Sequence, residues 1–420
     1  MKAKVICIGD ELLIGQTINT NAAWIGQTLF QQGIRVSESV AIADTRESIL
    51  NALNNIANDI ALVLLTGGLG PTVDDITKGV LCEFFNTRLK RDVSTLNNIE
   101  AYFARRNRSM LESNARQADL PESCTILPNP VGTASGMWFE KDGVIYVSMP
   151  GVPTEMKRIM TDEVMPRLKN HPDALNQYYK TVLTEGIGES FLVEIIREWQ
   201  TEVLNEEFSL AYLPSAGRVK IRLGKIAEKG VDVKALVQQK IDRLYELIPQ
   251  YIFGFDDDTY QAVIGRLLNE KGKTIATAES CTGGYLAHLL TSVPGASKYY
   301  MGSVISYANH LKIKELGVDP EDIQQHGAVS KPVVEQMAST VRAKFGVDYG
   351  IAFSGVAGPD GGSEEKPVGF VWIAIAAENE VYSKSFQFGT NRLRNIQRAC
   401  LAGMTFLRKV IDDDFKKLEA

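Results

Sequence analysis

KTIATAESCTGGYLAHLL, residues 273–290, changes its period halfway along. Thr274 to Thr277 reads as a strand rich in β-branched residues, Gly283-Gly284 breaks it, and YLAHLL continues at helical spacing. A strand that runs through a Gly-rich turn into a helix is the local mark of an α/β sheet, and it puts the turn at the strand's C-terminal end. There, Glu279-Ser280-Cys281-Thr282-Gly283-Gly284 holds the Ser280 hydroxyl clear of the sheet, beside backbone N–H groups that can receive an oxyanion or a phosphate. The plain alternative is a helix cap, with Ser280 or Thr282 accepting from the backbone and the glycines permitting a tight turn.

Two further strand ends in the same third of the chain bear on that choice. GSVISYANHLKIKELGV (302–318) brings Tyr307, Asn309 and Lys312 just past a second strand. A lysine beside a serine serves as its base only if desolvation or crowding lowers its pKa; otherwise Lys312 is a surface residue. The strand YGIAF (349–353) is followed by SGVAGPDGG, where Ser354, Gly355 and Gly358 offer small side chains and backbone donors for a phosphate or ribose. His288, His310 and His326 share no motif, so surface or hydrogen-bonded roles suit them and Lys312 is the expected base. A helix at Tyr260 to Lys271 opens this domain and one from about Asn391 to Ile411 closes it.

Residues 3–86 alternate short β-branched runs with helical periods, the βαβ pattern. Ala3 to Ile8, Ile34 to Ile42 and Ile60 to Leu65 read as strands, and Asn21 to Gln32 and Arg46 to Asn58 as helices, the second opened by a capping box of Asp44 and Glu47. IGDELLIGQTINTNAAW gathers Asp10, Glu11, Asn19 and Asn21 at the first strand's end, where carboxylates can hold a hard cation. LLTGGLGPTVDDITKG places Thr66, Gly67 and Gly68 where they can wrap a phosphate. Asp74-Asp75 there begin a helix, and a carboxylate pair in that position also serves simply to offset the helix dipole. A strand pair around 136–148 leads to MPGVPTEMKRIM, and the domain is expected to end near Leu168, before a polar linker from Asn170 to Gln177.

The expected architecture is therefore α/β throughout: a parallel-sheet domain over 1–168, a small α+β unit over 169–254 and a C-terminal α/β domain over 255–420. A chain of 420 residues exceeds one ordinary core. Its net charge of −6 offers no general field for a phosphate backbone, so no nucleic-acid partner is expected. The five isolated cysteines suggest neither disulfides nor zinc and suit a reducing cytoplasm. No apolar run is long enough to span a membrane and no export signal is recognisable.

In this order, ESCTGG, SYANHLK, GAVS, SGVAGPDGG and KPVG resemble the C-terminal domain of the CinA family, which is similar to stand-alone nicotinamide-mononucleotide deamidases. The resemblance implies that Ser280 attacks the carboxamide, that Lys312 and Tyr307 manage its proton, and that Thr282, Gly283, Gly284, Asn309, Ser354, Gly355 and Gly358 contact the substrate. The one departure from the family pattern is Phe370, where a smaller polar residue is expected. The N-terminal motifs and MPGVPTEMK resemble the MoaB/MogA-like domain of the same family, in which pterin-synthesis members bind molybdopterin and CinA-type members are associated with metal-dependent cleavage of ADP-ribose. On that likeness Asp10, Glu11, Asp44 and Asp75 would hold a divalent metal ion or activate water, and Thr66, Gly67 and Gly68 would contact phosphate. The implied protein is a bifunctional, homodimeric pyridine-nucleotide salvage enzyme. A non-catalytic pterin- or nucleotide-binding partner in competence or DNA-damage responses is the alternative.

Overall fold

Past Lys2 and Lys4 at its start, the run KAKVICI is apolar on both faces, and it folds as a central strand buried from Ala3 onward. In the computed structural model, which describes residues 1–72, 75–168, 175–215, 218–228 and 230–412, this is β1 (Lys2–Ile8). Asp74 and most of the expected linker, residues 170–174, lie outside the described residues. Alternate side chains go to opposite faces. Ala3, Val5 and Cys7 pack with Ile25 and Leu29 of α1 (Thr20–Gln31), whereas Ile6 and Ile8 pack with Ile49 and Leu53 of α2 (Arg46–Asn54). The cap of α2 differs from the expected box: Thr45, with extended backbone, accepts from the Ser48 N–H at 3.3 Å.

Beside β1 lie β2 (Arg35–Ile42) and β3 (Leu62–Thr66), and the sheet continues through β4 (Thr125–Leu127), β5 (Gly136–Lys141) and β6 (Val144–Met149) in the order β2-β1-β3-β6-β5-β4. The first four are parallel, β5 pairs antiparallel with β6, and β4 pairs antiparallel with β5. The middle segment forms a four-stranded sheet from β7 (Asn176–Glu185), β8 (Ser209–Ser215), β9 (Arg218–Ala227) and β10 (Ile252–Phe255), ordered β8-β9-β7-β10. Between β7 and β8 the chain forms two helices, α3 (Glu189–Ile195) and α4 (Arg197–Asn205). By spatial contact the chain forms two compact units, one of Met1–Lys180, Ile196–Ala211 and Arg222–Leu247, the other of Thr181–Ile195, Tyr212–Ile221 and the chain from Ile248 onward.

The C-terminal sheet has the order β12-β11-β13-β14-β15, from β11 (Ile275–Glu279), β12 (Tyr300–Ile305), β13 (Tyr349–Gly355), β14 (Phe370–Ala376) and β15 (Val381–Gln387). β12, β11 and β13 are parallel, β14 pairs antiparallel with β13, and β15 pairs antiparallel with β14. Its two faces differ in bulk. Ile275, Ile351, Phe353, Ile373 and Ile375 face one core, and Ala276, Ala278, Ala352, Ala374 and Ala376 face the other. The alanine face lets α5 (Lys331–Phe345) approach so closely that a Cβ on Gly350 would meet the Ala338 carbonyl at 2.2 Å. The opposite, bulkier face packs against other helices, among them α6 (Arg392–Ile411), which buries Met404, Phe406 and Leu407. Each such side chain contributes ~1.5–3 kcal/mol by leaving water.

Candidate active site

Parallel register brings three strand ends level. Glu279 lies opposite Ile305 on one side and Phe353 on the other, so Ser280, Ser306 and Ser354 each follow directly at the C-terminal edge of the sheet, where α/β folds collect ligands. Two backbone bonds hold that edge: Ser280 N–H donates to the Phe353 carbonyl at 3.1 Å and Ser306 N–H to the Glu279 carbonyl at 2.9 Å.

Lys312 enters this edge from the helix Asn309–Leu316 and is 1 % exposed. Its Nζ stands 3.0 Å from Ser280 Oγ, 2.9 Å from the Ser306 carbonyl and 3.4 Å from the Tyr307 carbonyl, and it forms no salt bridge with a described carboxylate. Burial without a countercharge pushes the Lys312 amine below the usual lysine range. A neutral amine has two N–H donors and one lone pair. In that neutral form the two carbonyls can take the donors and leave the lone pair for the Ser280 hydroxyl, whereas the protonated amine donates to Ser280 Oγ.

The turn after Ser280 is arranged differently from the expected open anion site. Glu279, fully buried, accepts from Gly284 N–H at 2.9 Å, Leu286 N–H at 3.2 Å and Ala287 N–H at 2.8 Å, and from the Thr277 hydroxyl at 3.2 Å. The positive end of the helix Tyr285–Thr291 is thus already filled by a side chain of the protein. Gly283 N–H donates to the Ser280 carbonyl at 3.1 Å. The N–H groups of Gly283 and Gly284, expected to meet substrate, are therefore engaged, whereas those of Cys281 and Thr282 have no hydrogen-bond partner among the described residues. Positive φ at Gly283 and Gly284, 62° and 94°, explains why both are glycine. The Thr282 and Ser306 hydroxyls are buried with no hydrogen-bond partner among the described residues.

Tyr307 is 58 % exposed, and its hydroxyl accepts from Arg392 Nη2 at 2.8 Å, so the structure ties it to Arg392 rather than to Ser280. Arg392 Nη1 also donates to the Gly358 carbonyl at 2.7 Å, which brings the Gly-rich loop and Tyr307 together around one guanidinium. The sequence reading missed Arg392. A cation in a helix's first turn opposes the dipole, and that was the available signal. Asn309 is exposed at the rim. Ser354 departs from its expected ligand role, because its buried hydroxyl donates to the Ala328 carbonyl at 2.6 Å. Gly355 departs likewise, being packed where a Cβ would meet Val371 at 2.6 Å. His288, His310 and His326 are exposed.

In the N-terminal domain the Thr66-Gly67-Gly68 turn follows β3, with φ of 123° and 65° at the glycines. Its atoms are largely engaged within the protein. The buried Thr66 hydroxyl donates to the Pro150 carbonyl at 2.8 Å and accepts from Asn21 Nδ2 at 3.0 Å, and Gly67 N–H donates to the Met149 carbonyl at 3.0 Å. Thr66 and Gly67 therefore build the turn instead of reaching a phosphate with these groups. Asp75 accepts from Gly70 N–H at 2.7 Å and Thr72 N–H at 2.9 Å, which makes it a loop tie. The Glu11 carboxylate folds back onto Gly9, and Asp44 lies by Gly68. Among the described residues no three His, Cys, Asp or Glu side chains gather as a metal group, so Asp10, Glu11, Asp44 and Asp75 do not form the expected cluster. The described cysteines are all free, and no described helix is long and apolar enough to cross a membrane.

Three family models match the chain: "Probable molybdopterin binding domain" over residues 4–170, "Damage-inducible protein CinA KH domain" over 179–254 and "CinA C-terminal domain" over 257–411. A CinA-like protein of Cytophaga hutchinsonii is 45 % identical over 411 residues, covering 98 % of both chains. One from Salinibacter ruber is 41 % identical, covering 98 % of this chain and all of that one. Among solved structures, the protein CinA with unknown function from Thermoplasma acidophilum is 34 % identical, with a TM-score of 0.36, over 40 % of this chain and 96 % of that one.

Proposed function

The chain belongs to the CinA family, and on that footing we propose that its C-terminal domain hydrolyses the carboxamide of nicotinamide mononucleotide to nicotinic acid mononucleotide and ammonia. The observation that carries this reading is the buried Lys312 amine, without a countercharge, 3.0 Å from Ser280 Oγ. Ser280 Oγ attacks the carboxamide carbon while its proton passes to the Lys312 lone pair. The oxyanion forms against Cys281 and Thr282 N–H. Lys312 then protonates the departing nitrogen, so ammonia leaves and an acyl-serine remains. Water adds to that ester, losing its proton to Lys312, and collapse returns the proton to Ser280 and frees the carboxylate. Arg392, beside Tyr307 and Gly358, is suited to the substrate phosphate. The test is ammonia release from nicotinamide mononucleotide by the full chain and by Ser280→Ala. Equal rates would end the proposal.

For the N-terminal domain the family reading is ADP-ribose cleavage in the same salvage chemistry, with a divalent cation. A second reading for this domain, in which no three such carboxylates gather among the described residues, is that it holds a pterin or nucleotide without turning it over. ADP-ribose hydrolysis that stops on chelation with EDTA would reject binding alone; no hydrolysis with added Mg²⁺ or Mn²⁺ would support it.

A further inference from the structure

A cavity of about 600 Å³ in the C-terminal compact unit lies apart from the Ser280 edge, and its size suits a small organic ligand. Tyr285 and Leu289, from the helix that follows the Ser280 turn, and Leu401 and Met404, from α6, give it an apolar wall. Arg218 and Lys220 of β9 and Arg398 of α6 supply positive charge.

Three carboxylates also line the cavity, and with Asp258 paired to Arg266 they lower its positive charge without cancelling it. Asp258 receives Arg266 through two bonds of 3.1 Å and also accepts from Phe255 N–H at 3.0 Å. Asp256 accepts from Thr181 N–H at 2.8 Å, and Asp257 is likewise engaged within the chain. Arg218, Lys220 and Arg398, by contrast, form no ion pair with any described residue. The Arg218 guanidinium rests 4.6 Å from the centre of the Tyr260 ring, which also stacks with Phe253 at 4.0 Å. The ring contact holds Arg218 at the cavity wall without neutralising it.

We propose that this cavity is a second ligand site, for a nucleotide-sized phosphate ester. Its phosphate meets Arg218, Lys220 and Arg398, and its ring lies against Tyr285, Leu289 and Leu401. Two guanidiniums and an ammonium suit a phosphate dianion, and the apolar wall distinguishes an ester with a ring from the free ion. The site does not depend on the amidase reading, since none of these side chains belongs to the Ser280 edge.

Titration calorimetry of the full chain tests it, with AMP, adenosine and inorganic phosphate as separate probes. AMP is expected to bind at least tenfold more tightly than either half alone. Arg398→Glu and Lys220→Glu, both at exposed positions, are each expected to weaken AMP at least tenfold with unchanged melting. AMP affinity untouched by both substitutions, or phosphate alone binding as well as AMP, overturns the proposal. An azido-AMP photolabel gives an independent readout: label on the peptides carrying Tyr285 or Leu401 supports the site, and label confined elsewhere refutes it.

Discussion

Replacing Lys312 with methionine removes the amine while keeping an unbranched side chain of similar length in a site that is 1 % exposed. Among the described residues Lys312 is the base hydrogen-bonded to Ser280, at 3.0 Å, and its loss leaves that hydroxyl without a side chain to take its proton. A positioned general base contributes ~10²–10⁴-fold, so kcat for ammonia release should fall by ~10³, about 4 kcal/mol at 1.36 per decade. The fold should tolerate the change. The Ser306 and Tyr307 carbonyls each lose a bond of about 1 kcal/mol, and removal of a desolvated amine offsets part of that loss. A coupled ammonia assay reads the first effect and calorimetry the second. Ammonia release within tenfold of the unaltered protein, in a folded variant, would refute the assignment of Lys312.

The pH dependence follows from the same group. Only the neutral amine can accept the Ser280 proton, and burial holds Lys312 below the usual lysine range, so kcat/KM should rise with pH through the lowered pKa and then level. Stability changes in the same direction. The unfolded chain binds more protons than the folded one between the lowered pKa and the ordinary lysine value. The contribution of the neutral buried amine is therefore fully present above the ordinary value and lost as pH falls through the lowered one. In Lys312→Met this part of the stability slope should vanish.

Glu279→Gln puts an amide where three backbone N–H groups need acceptors, and should destabilise the C-terminal domain by ~1–3 kcal/mol, lowering its calorimetric melting point by ~5 °C. Arg392→Gln should raise KM for nicotinamide mononucleotide tenfold or more with a smaller change in kcat; the reverse split would place Arg392 in the chemical step. Gly67→Ala sets a Cβ 2.1 Å from the Ile8 carbonyl at a φ of 123°, and should unfold the N-terminal domain earlier on heating while ammonia release persists.

Strand ends were legible because they are written in local period. ESCTGG, SYANHLK and SGVAGPDGG each sit where a β-branched run stops, and the structure sets all three on one sheet edge. What the sequence hid was which groups at that edge are consumed internally. Nothing in SGVAG announces that Ser354 will bond to Ala328, or that Thr66 will be claimed by Asn21 and Pro150, because those partners come from distant segments. Glu279 stood inside the quoted motif, yet its carboxylate's place under the following helix depends on a turn geometry that residue type does not reveal. Acidic residues at the N-terminal strand ends looked convergent for a similar reason: topology brings backbones to one edge, but side-chain direction decides whether carboxylates meet.

The carboxylate of Glu279 has a bearing on timing. With the helix start satisfied from within, the nucleophile's loop reaches its working shape when the domain folds and needs no incoming anion to order it. On the proposed chemistry each catalytic cycle would therefore begin from a preorganised backbone with little reorganisation left to perform. Backbone amide exchange at residues 284–287 should be as slow in the free protein as in one saturated with product.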